Sequence, residues 1–399
     1  MPRFEPFHAL RFVDSGNLGA YCAPPYDVLS DYDRQQLAAQ SAHNIVHIDL
    51  PIAVPPSDAY ANASHLLQSW IENDVLQRDD EPSLTLYRTS FTDETGKSRN
   101  IVGVIGALEV VDENAGGVLP HEQTTPKAKT DRLDLTRATD ANLSPVWGLS
   151  TKIGLSALLT EPGEPVGSII DVEGVIHSVE RIVDKTRIEA ICAAVSSSPV
   201  VIADGHHRAA SAAKVADQLP DSDDAKFFLT TLFPANQLAI LDYNRVVKDL
   251  NGHSDGDLLS ALQDDFTLTR ETEPVKPAHP HEFGMYLNKN WYRLQARPGT
   301  WTEDPIGVLD VSILSERVLN KLLGVRDQRT DKRIDFVGGI RGLNELVKRV
   351  DGGEMAIAFS LYPVSIHQLF DIADSGSVMP PKSTWFEPKL RDGLLTHRI

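Results

Sequence analysis

The stretch VVIADGHHRAASAA, residues 200–213, sets the fold of the region around it. Val200–Ala203 is a short apolar run of the kind that forms a buried strand. From residue 206 onward the alanines predict a helix that packs closely on a sheet. Asp204 and Gly205 stand between the two, so the stretch predicts a strand that turns directly into a helix.

The same junction carries an unusual density of chemically active side chains. A helix that begins near His206 directs its free N–H groups and positive dipole end at the turn, which suits a phosphate. Gly205 permits an unusual turn or the close approach of a ligand, and Arg208 offers a planar fork for phosphate oxygens. Asp204 can hold magnesium or act as a base. Adjacent helical residues diverge by roughly 100°, so His206 and His207 cannot face one ligand equally.

A purely structural interpretation of the junction stays open. In that interpretation Asp204 only caps the helix, and the two histidines are surface residues. The density of functional side-chain types at one strand-to-helix turn favours a binding or catalytic site.

Elsewhere the pattern predicts a mixture of strands and helices. SLTLYRTSFT and RNIVGVIGALEVV flank DETGK and predict a hairpin. Ser30 and Asp33 form a capping box at the start of a helix, and IVHIDLP at 45–51 has the alternation of a strand. The predicted fold class is mixed α/β (α+β).

The composition changes at about residue 270, where ETEPVKPAHPHE is rich in proline and charge. We interpret this stretch as a linker or long loop. The predicted organisation is an N-terminal α/β region at 1–98, a core with the DGHHR site at 99–270 and a C-terminal α/β subdomain at 281–399.

Two further clusters are candidate sites. His121 and Glu122 lie in a loop rich in Gly, Pro and Thr, and a carboxylate beside a histidine suits general-base or metal chemistry. Lys129 and Arg132 follow in one of the few locally basic stretches, which can neutralise phosphates. The alternative is a solvated loop and helix face.

The second of these clusters lies in MPPKSTWFEPKL, near the end of the sequence. Its prolines do not fit a regular helix or strand interior. Lys382, Ser383 and Thr384 in a rigid loop can bind an anion. The alternative is a packing segment with Trp385 and Phe386 in the core.

Composition excludes several classes of function. The net charge of −18 and the lack of a lysine–arginine cluster disfavour nucleic-acid binding. No apolar run reaches the roughly 18 residues of a membrane span. The two cysteines, Cys22 and Cys192, form no disulfide framework, and a cytoplasmic location is expected. The P-loop, Rossmann glycine, nucleophile-elbow and zinc motifs are missing from the sequence. Nothing in the sequence predicts the oligomeric state.

DGHHRAASA is similar to the Gly-x-x-Arg-x-x-Ala signature of the ParB/sulfiredoxin superfamily, with Ser211 at the usual alanine. The chain resembles the free-serine-kinase-like (SerK-like) branch of that superfamily, long catalogued as a domain of unknown function. The resemblance rests on nine blocks between residues 6 and 393: PFHALRF, APPYDVLS, NIVHIDLP, LPHEQT, DRLDL, ANLSPV, IADGHHRAASA, DVSIL and MPPKSTWFEPKL.

The resemblance implies a ParB/sulfiredoxin-like nucleotide-binding core and a phosphotransferase activity. The implied reaction moves a phosphoryl group from ATP or ADP to free L-serine, with Mg²⁺, and gives O-phosphoserine. The implied partners are therefore a nucleotide and an amino acid. The implied nucleotide contacts are Gly205, His206, His207, Arg208, Lys129 and Arg132.

The resemblance also implies catalytic and substrate-binding residues. Glu122 or Asp204 accepts the serine proton while the other holds magnesium, and His206 belongs with them. The implied substrate contacts are His121, Arg245, Lys382, Ser383 and Thr384.

One block departs from the family pattern. Asp242-Tyr243-Asn244-Arg245 stands where the family has proline-threonine-histidine-arginine. If that histidine contacts substrate or phosphate, the departure predicts altered specificity or weakened activity. Two alternatives to the kinase follow: a non-catalytic nucleotide-binding regulatory protein, and a metal-dependent phosphate-ester hydrolase that uses His121, Glu122, Asp204 and His206.

Overall fold

The computed structural model describes residues 1–93, 96–112, 116–122, 126–238 and 240–399, and only the backbone of 126–129. The described residues form twelve α-helices. In chain order, α1 to α12, they are Leu18–Tyr21, Asp31–Gln40, Val46–Asp49, Ala59–Glu72, Pro126–Thr139, Leu155–Leu158, Lys185–Val195, His206–Gln218, Asp255–Leu262, Asp310–Leu314, Gly342–Asp351 and Ile366–Asp374. A π-helical turn, Ser315–Asn320, continues α10.

The strands are numbered in the same way. In chain order, β1 to β21, they are Phe4–Glu5, Leu10–Phe12, Leu76–Arg78, Leu84–Thr92, Ser98–Glu109, Val118–Leu119, Ala141–Asn142, Val146–Ser150, Glu164–Ile170, Ile176–Ile182, Val200–Asp204, Phe227–Pro234, Ile240–Leu241, Tyr243–Val247, Phe266–Glu271, Glu282–Leu287, Asn290–Ala296, Ile334–Gly338, Ile357–Leu361, Trp385–Phe386 and His397–Arg398. The mixture of helices and strands confirms the predicted fold class.

The chain divides into two compact units. The first unit comprises Met1–Leu119, Thr124–Leu238 and Pro388–Ile399. Its main sheet has the order β6-β11-β8-β12-β5-β4-β10-β9, with β1 paired to β5. The pairs β11–β6 and β12–β8 are parallel, and the remaining pairs of this sheet are antiparallel.

The core of the first unit joins this sheet to helices. Leu84, Val104 and Leu232 from the strands share one buried cluster with Ile191 of α7 and Ala212 of α8. The small side chain at 212 lets α8 lie close to the sheet, as the alanine-rich sequence predicts. The junction at 204–205 therefore lies between a buried strand and a firmly packed helix.

The second unit comprises Pro120–Gln123 and Ala239–Glu387. Its antiparallel sheet has the order β15-β17-β16-β19-β14-β18. A buried cluster that includes Val246, Tyr286 and Leu346 packs α11 against this sheet. The three-part division of the chain predicted from composition stays a prediction.

Most local predictions are confirmed, and one is wrong. β4 and β5 form the predicted antiparallel hairpin, and Ser30 and Asp33 form the capping box of α2. IVHIDLP is not a strand, because Val46–Asp49 is the helical turn α3. The Asn44 side chain explains the difference. Its Oδ1 accepts the Val46 N–H at 3.0 Å, and its Nδ2 donates to the carbonyls of Ala20 and Cys22.

None of the helices in the described part of the chain is both long and apolar enough to span a bilayer.

Candidate functional site

The strand-to-helix junction is built as the sequence predicts. β11 ends at Asp204, and α8 begins at His206. Gly205 between them has φ +88°, in the left-handed region that favours glycine. The Gly205 N–H donates to Asp204 Oδ1 at 2.8 Å. The pairing of β11 with β8 shifts register between Ile202 and Asp204, and such irregularities often re-aim a side chain beside a functional site.

Arg208 folds back against this turn. A Cβ atom at position 205 would lie 2.9 Å from Arg208 Nε, so the guanidinium lies beside the start of α8. Arg208 Nη1 donates to the Pro145 carbonyl at 2.6 Å. Arg208 Nε is buried and has no hydrogen-bond partner among the residues that the structure describes. The guanidinium therefore keeps a donor available for an acceptor such as a phosphate oxygen.

Arg132 of α5 lies in a second buried charge cluster of the first unit. Its Nη1 contacts Asp49 Oδ1 at 3.0 Å and its Nη2 contacts Asp131 at 2.7 Å. The guanidinium also lies over the Tyr26 ring, 4.0 Å from its centroid. Burial opposes the charge, but Asp49, Tyr26 and Asp131 together hold the pKa of Arg132 above its ordinary value.

Arg132 and Arg208 line one cleft, which we call the arginine cleft. Its apolar wall contains Leu143, Val146 and Phe228. Its polar lining consists of Asp49, Arg132, Thr136, Asn142, Ser144 and Arg208. Both guanidinium groups are of a type suited to an anionic ligand, and that of Arg208 also lies beside the start of α8.

The segment Pro388–Ile399 adds two ionisable groups to the junction, Lys389 and Asp392. Lys389 Nζ lies 3.1 Å from Asp204 Oδ2. Asp392 Oδ1 lies 3.9 Å from Arg208 Nη1, and the Asp392 side chain is fully buried. Burial and the neighbouring Asp49 raise the pKa of Asp392 to about 8. Asp392 is therefore mainly protonated at neutral pH.

A second set of predicted residues lies together in the second unit. His121 Nε2 and Thr384 Oγ1 are 2.9 Å apart. Glu122 Oε1 accepts the Lys382 N–H at 3.0 Å, and the Met379 N–H donates to the His121 carbonyl at 2.8 Å. The loop at 379–384 is thus tied to the His121-Glu122 pair by backbone and side-chain hydrogen bonds.

Arg245 and Ser383 support the same loop. Arg245 is buried, its Nη2 donates to the Pro381 carbonyl at 3.2 Å, and its Nη1 donates to the Tyr243 carbonyl. Burial lowers the pKa of Arg245 to about 10. Ser383 Oγ donates to the Pro380 carbonyl at 2.6 Å. These contacts keep the loop in one conformation.

Asn244 is part of the framework of the second sheet. Its side chain is fully buried on β14. Asn244 Nδ2 donates to Asp242 at 2.6 Å, and its Oδ1 accepts the Leu361 N–H at 3.0 Å. The Oδ1 atom therefore ties β14 to β19, and the Nδ2 atom ties it to Asp242 just before β14.

The structure gathers the predicted residues into two sets. Arg132 and the residues from Asp204 to Arg208 belong to the first unit; His206 and His207 lie half-buried in the first turn of α8. The side chain of Lys129 lies outside the described residues. The second unit holds the substrate-contact set and Glu122.

Sequence reasoning did not assign several residues that surround the arginines: Tyr26, Asp49, Lys389 and Asp392. Tyr26, Asp49 and Lys389 lie within the blocks APPYDVLS, NIVHIDLP and MPPKSTWFEPKL. Their place in these blocks was the available signal.

Across the described ranges, no group of three or more His, Cys, Asp or Glu side chains is arranged to hold a metal ion. A magnesium ion that arrives with nucleotide phosphates needs only one or two protein carboxylates. Asp204 and Glu122 are of the right type.

Replacing Gly205 by alanine is expected to lower the free energy of unfolding by about 1–2 kcal/mol, the cost of a left-handed conformation for a residue with Cβ. The new methyl group also displaces Arg208. Gly174→Ala is the matched control, because Gly174 has φ +80° but open space around its Cβ position. Urea unfolding measures both. An equal loss of stability in the two variants would show that the contact with Arg208 does not contribute to the effect of Gly205→Ala.

Asp392 predicts a pH dependence of stability. The folded state keeps its proton up to a pKa of about 8, whereas the unfolded chain loses it near its ordinary value. Between about pH 4 and pH 8 unfolding therefore releases a proton, and stability falls as pH rises by up to about 1.4 kcal/mol per unit. Asp392→Asn mimics the protonated form and should flatten this slope in urea unfolding from pH 5 to 8.5. Parallel profiles for the two proteins would contradict the prediction.

Comparisons with known proteins give one family match. The model of the family described as a protein of unknown function (DUF1015) matches residues 4–312. No curated protein matches the sequence.

Several solved structures are similar to the chain. A mutant free serine kinase in complex with AMP has a TM-score of 0.38 at 13% identity, over 72% of this chain and 87% of that chain. SbnI with a C-terminal truncation, from Staphylococcus aureus, has a TM-score of 0.38 at 12% identity, over 72% and 85%. A conserved hypothetical protein from Pyrococcus furiosus has a TM-score of 0.34 at 15% identity, over 69% and 90%. At such low TM-scores the likeness carries no argument about function.

Proposed function

This chain belongs to the DUF1015 family, and we propose that it is a small-molecule phosphotransferase that binds a nucleotide in the arginine cleft. The observation that carries the proposal is that Arg132 and Arg208 line one partly apolar cleft, and that the Arg208 guanidinium also lies beside the start of α8. Guanidinium forks and helix N-termini are both suited to phosphate oxygens. The apolar wall of the cleft suits the less polar part of a nucleotide.

The full proposal follows the resemblance to the free-serine-kinase-like branch of the ParB/sulfiredoxin superfamily. ATP or ADP donates a phosphoryl group to the hydroxyl of free L-serine, and O-phosphoserine is formed. Phosphoryl transfer depends mainly on positioning and charge neutralisation. In this proposal Gly205, His206, His207 and Arg208 bind the phosphates, together with Arg132 and Lys129.

The acceptor is assigned to the second set of residues. Lys382 is exposed and offers a cation for the amino-acid carboxylate. Ser383 and Thr384 are buried beside it, so in this proposal they act by shaping the loop that presents Lys382. Arg245 holds the Pro381 carbonyl and so positions this loop. His121 orients Thr384 through their 2.9 Å contact.

Proton transfer is assigned to a carboxylate. Either Glu122 or Asp204 accepts the proton from the serine hydroxyl, and the other carboxylate is available to Mg²⁺. His206, two residues after Asp204, is assigned to the same catalytic group. When bound with the nucleotide, Mg²⁺ neutralises charge on the phosphates. Asp204 Oδ1 already accepts the N–H of Gly205.

The test is a product assay with the purified full chain, L-serine, Mg²⁺ and either ATP or ADP. We expect O-phosphoserine by mass spectrometry with at least one donor, and none when serine is omitted. Absence of product with ATP, ADP and pyrophosphate would refute the serine kinase. Release of inorganic phosphate from phosphoserine or nucleotide, abolished by EDTA, would instead indicate the hydrolase.

A non-catalytic nucleotide-binding protein is the second candidate function. Asn244 favours it, because a buried amide that holds β14 against β19 replaces the histidine of the family pattern. Tight nucleotide binding without turnover would support this function. Recovery of turnover in Asn244→His would show that the replacement had weakened a kinase.

A further inference from the structure

We infer that Lys389 is a phosphate-binding residue at the start of α8, delivered to it by the segment Pro388–Ile399. The inference rests on the proposed function and extends it to a residue beyond the range 4–312 that the family model matches. Neither composition nor the resemblance assigned a role to Lys389.

The segment that carries Lys389 is fixed to the first unit by backbone hydrogen bonds. Ala23 and Asp392 exchange two N–H···O bonds of 3.1 and 2.9 Å, and Leu10 and Thr396 exchange two of 3.0 and 2.9 Å. Further along, β21 pairs with β7. These bonds hold the backbone just beyond residue 389 in one position, so the lysine is presented at the junction by a fixed support.

The Lys389 ammonium lies where a phosphate bound at the junction would need a cation. Its Nζ is 3.1 Å from Asp204 Oδ2, and Asp204 directly precedes Gly205 and the start of α8. The guanidinium of Arg208 lies beside the same turn. A lysine and an arginine therefore flank one helix start, whose N–H groups and dipole attract negative charge.

The ion pair between Lys389 and Asp204 is accessible to a ligand. The side chains are 17% and 24% exposed, so the contact is within reach of a ligand from solvent. An ammonium has three donors, so Lys389 can donate to a phosphate oxygen while it stays close to Asp204.

The charge of the whole protein makes such a cation necessary. A formal net charge of −18 repels a nucleotide carrying several negative charges. At the junction, Asp204 adds another negative charge. Lys389 offsets the charge of Asp204, which leaves the positive charge of Arg208 to attract the phosphates.

The test compares nucleotide affinities of the wild-type chain and Lys389→Met by calorimetry. Methionine keeps much of the apolar stem and removes the charge. We expect affinity for ATP and ADP to fall by about 10- to 150-fold, the loss for one charge-assisted hydrogen bond. Affinity for adenosine should stay within about twofold, because adenosine carries no phosphate and so makes no charge-assisted bond of this kind.

Lys226→Met is the matched control, since Lys226 also pairs with an aspartate, Asp223, at 2.7 Å on the surface of the first unit. It should leave all affinities unchanged. Lys389→Arg should retain most of the ATP affinity. An equal loss for adenosine and ATP in Lys389→Met, or no loss for ATP, would overturn the inference. Thermal unfolding of each variant checks that the fold is retained.

The outcomes separate this inference from the proposed function. If the wild-type chain binds no nucleotide, the proposed function fails. Pyrophosphate is then the probe for Lys389 alone. Binding by wild type and loss in Lys389→Met would keep Lys389 as a phosphate ligand, whereas no binding or equal binding would refute it.

Discussion

Arg132→Met is expected to lower the free energy of unfolding by about 3–5 kcal/mol, the largest single effect we predict. Arg132 and Asp49 are both buried, and their side chains contact at 3.0 Å. Removal of the guanidinium leaves the Asp49 carboxylate buried. Among the described residues the Ser144 hydroxyl is then its remaining side-chain donor, at 3.0 Å. The loss of the contact with the Tyr26 ring adds to the effect. Urea unfolding at neutral pH measures it.

The double variant Arg132→Met/Asp49→Asn is the control for this explanation. It removes both charges, and it should recover a large part of the stability lost in Arg132→Met. Arg137→Ala on the same helix should have little effect, because Arg137 and its partner Asp134 are exposed. If the double variant is no more stable than the single one, the loss comes from packing and not from the uncompensated carboxylate.

Arg208→Ala is expected to weaken ATP binding by about 10- to 150-fold, which corresponds to 1.5–3 kcal/mol for a charge-assisted hydrogen bond. The physical reason is the buried Nε donor and the position of the guanidinium beside the start of α8. Arg208→Lys should recover part of the affinity, because it restores the charge but not the planar fork. Calorimetric titration with ATP and ADP measures the change.

Two controls make the result for Arg208 interpretable. Arg208 also donates to the Pro145 carbonyl at 2.6 Å, so thermal unfolding must show that the variant is still folded at the titration temperature. Arg137→Ala on α5 tests whether the loss of an arginine outside the proposed site also weakens nucleotide binding. Unchanged nucleotide affinity in a folded Arg208→Ala would assign the junction a purely structural role.

The local structure could be predicted from the sequence where it depends on residues close together along the chain. The β4–β5 hairpin follows from alternation and a turn, and the α2 capping box follows from Ser30 and Asp33. α3 was not accessible in this way. Its apolar alternation indicated a strand, but Asn44 reaches carbonyls at Ala20 and Cys22, 24 and 22 residues away, and directs the chain into a helical turn.

The same distinction between local and long-range causes applies to the candidate site. The sequence by itself determined the strand-turn-helix at 200–213, the need for glycine at 205 and the residue types that suit a phosphate, because these depend on neighbours along the chain. Only the tertiary structure decided which charges meet. Arg132 reaches Asp49 across 83 residues, and Lys389 reaches Asp204 across 185. Burial makes these ion pairs important for stability. Both burial and proximity are set by how the sheet and helices pack, and no local sequence pattern specifies that packing.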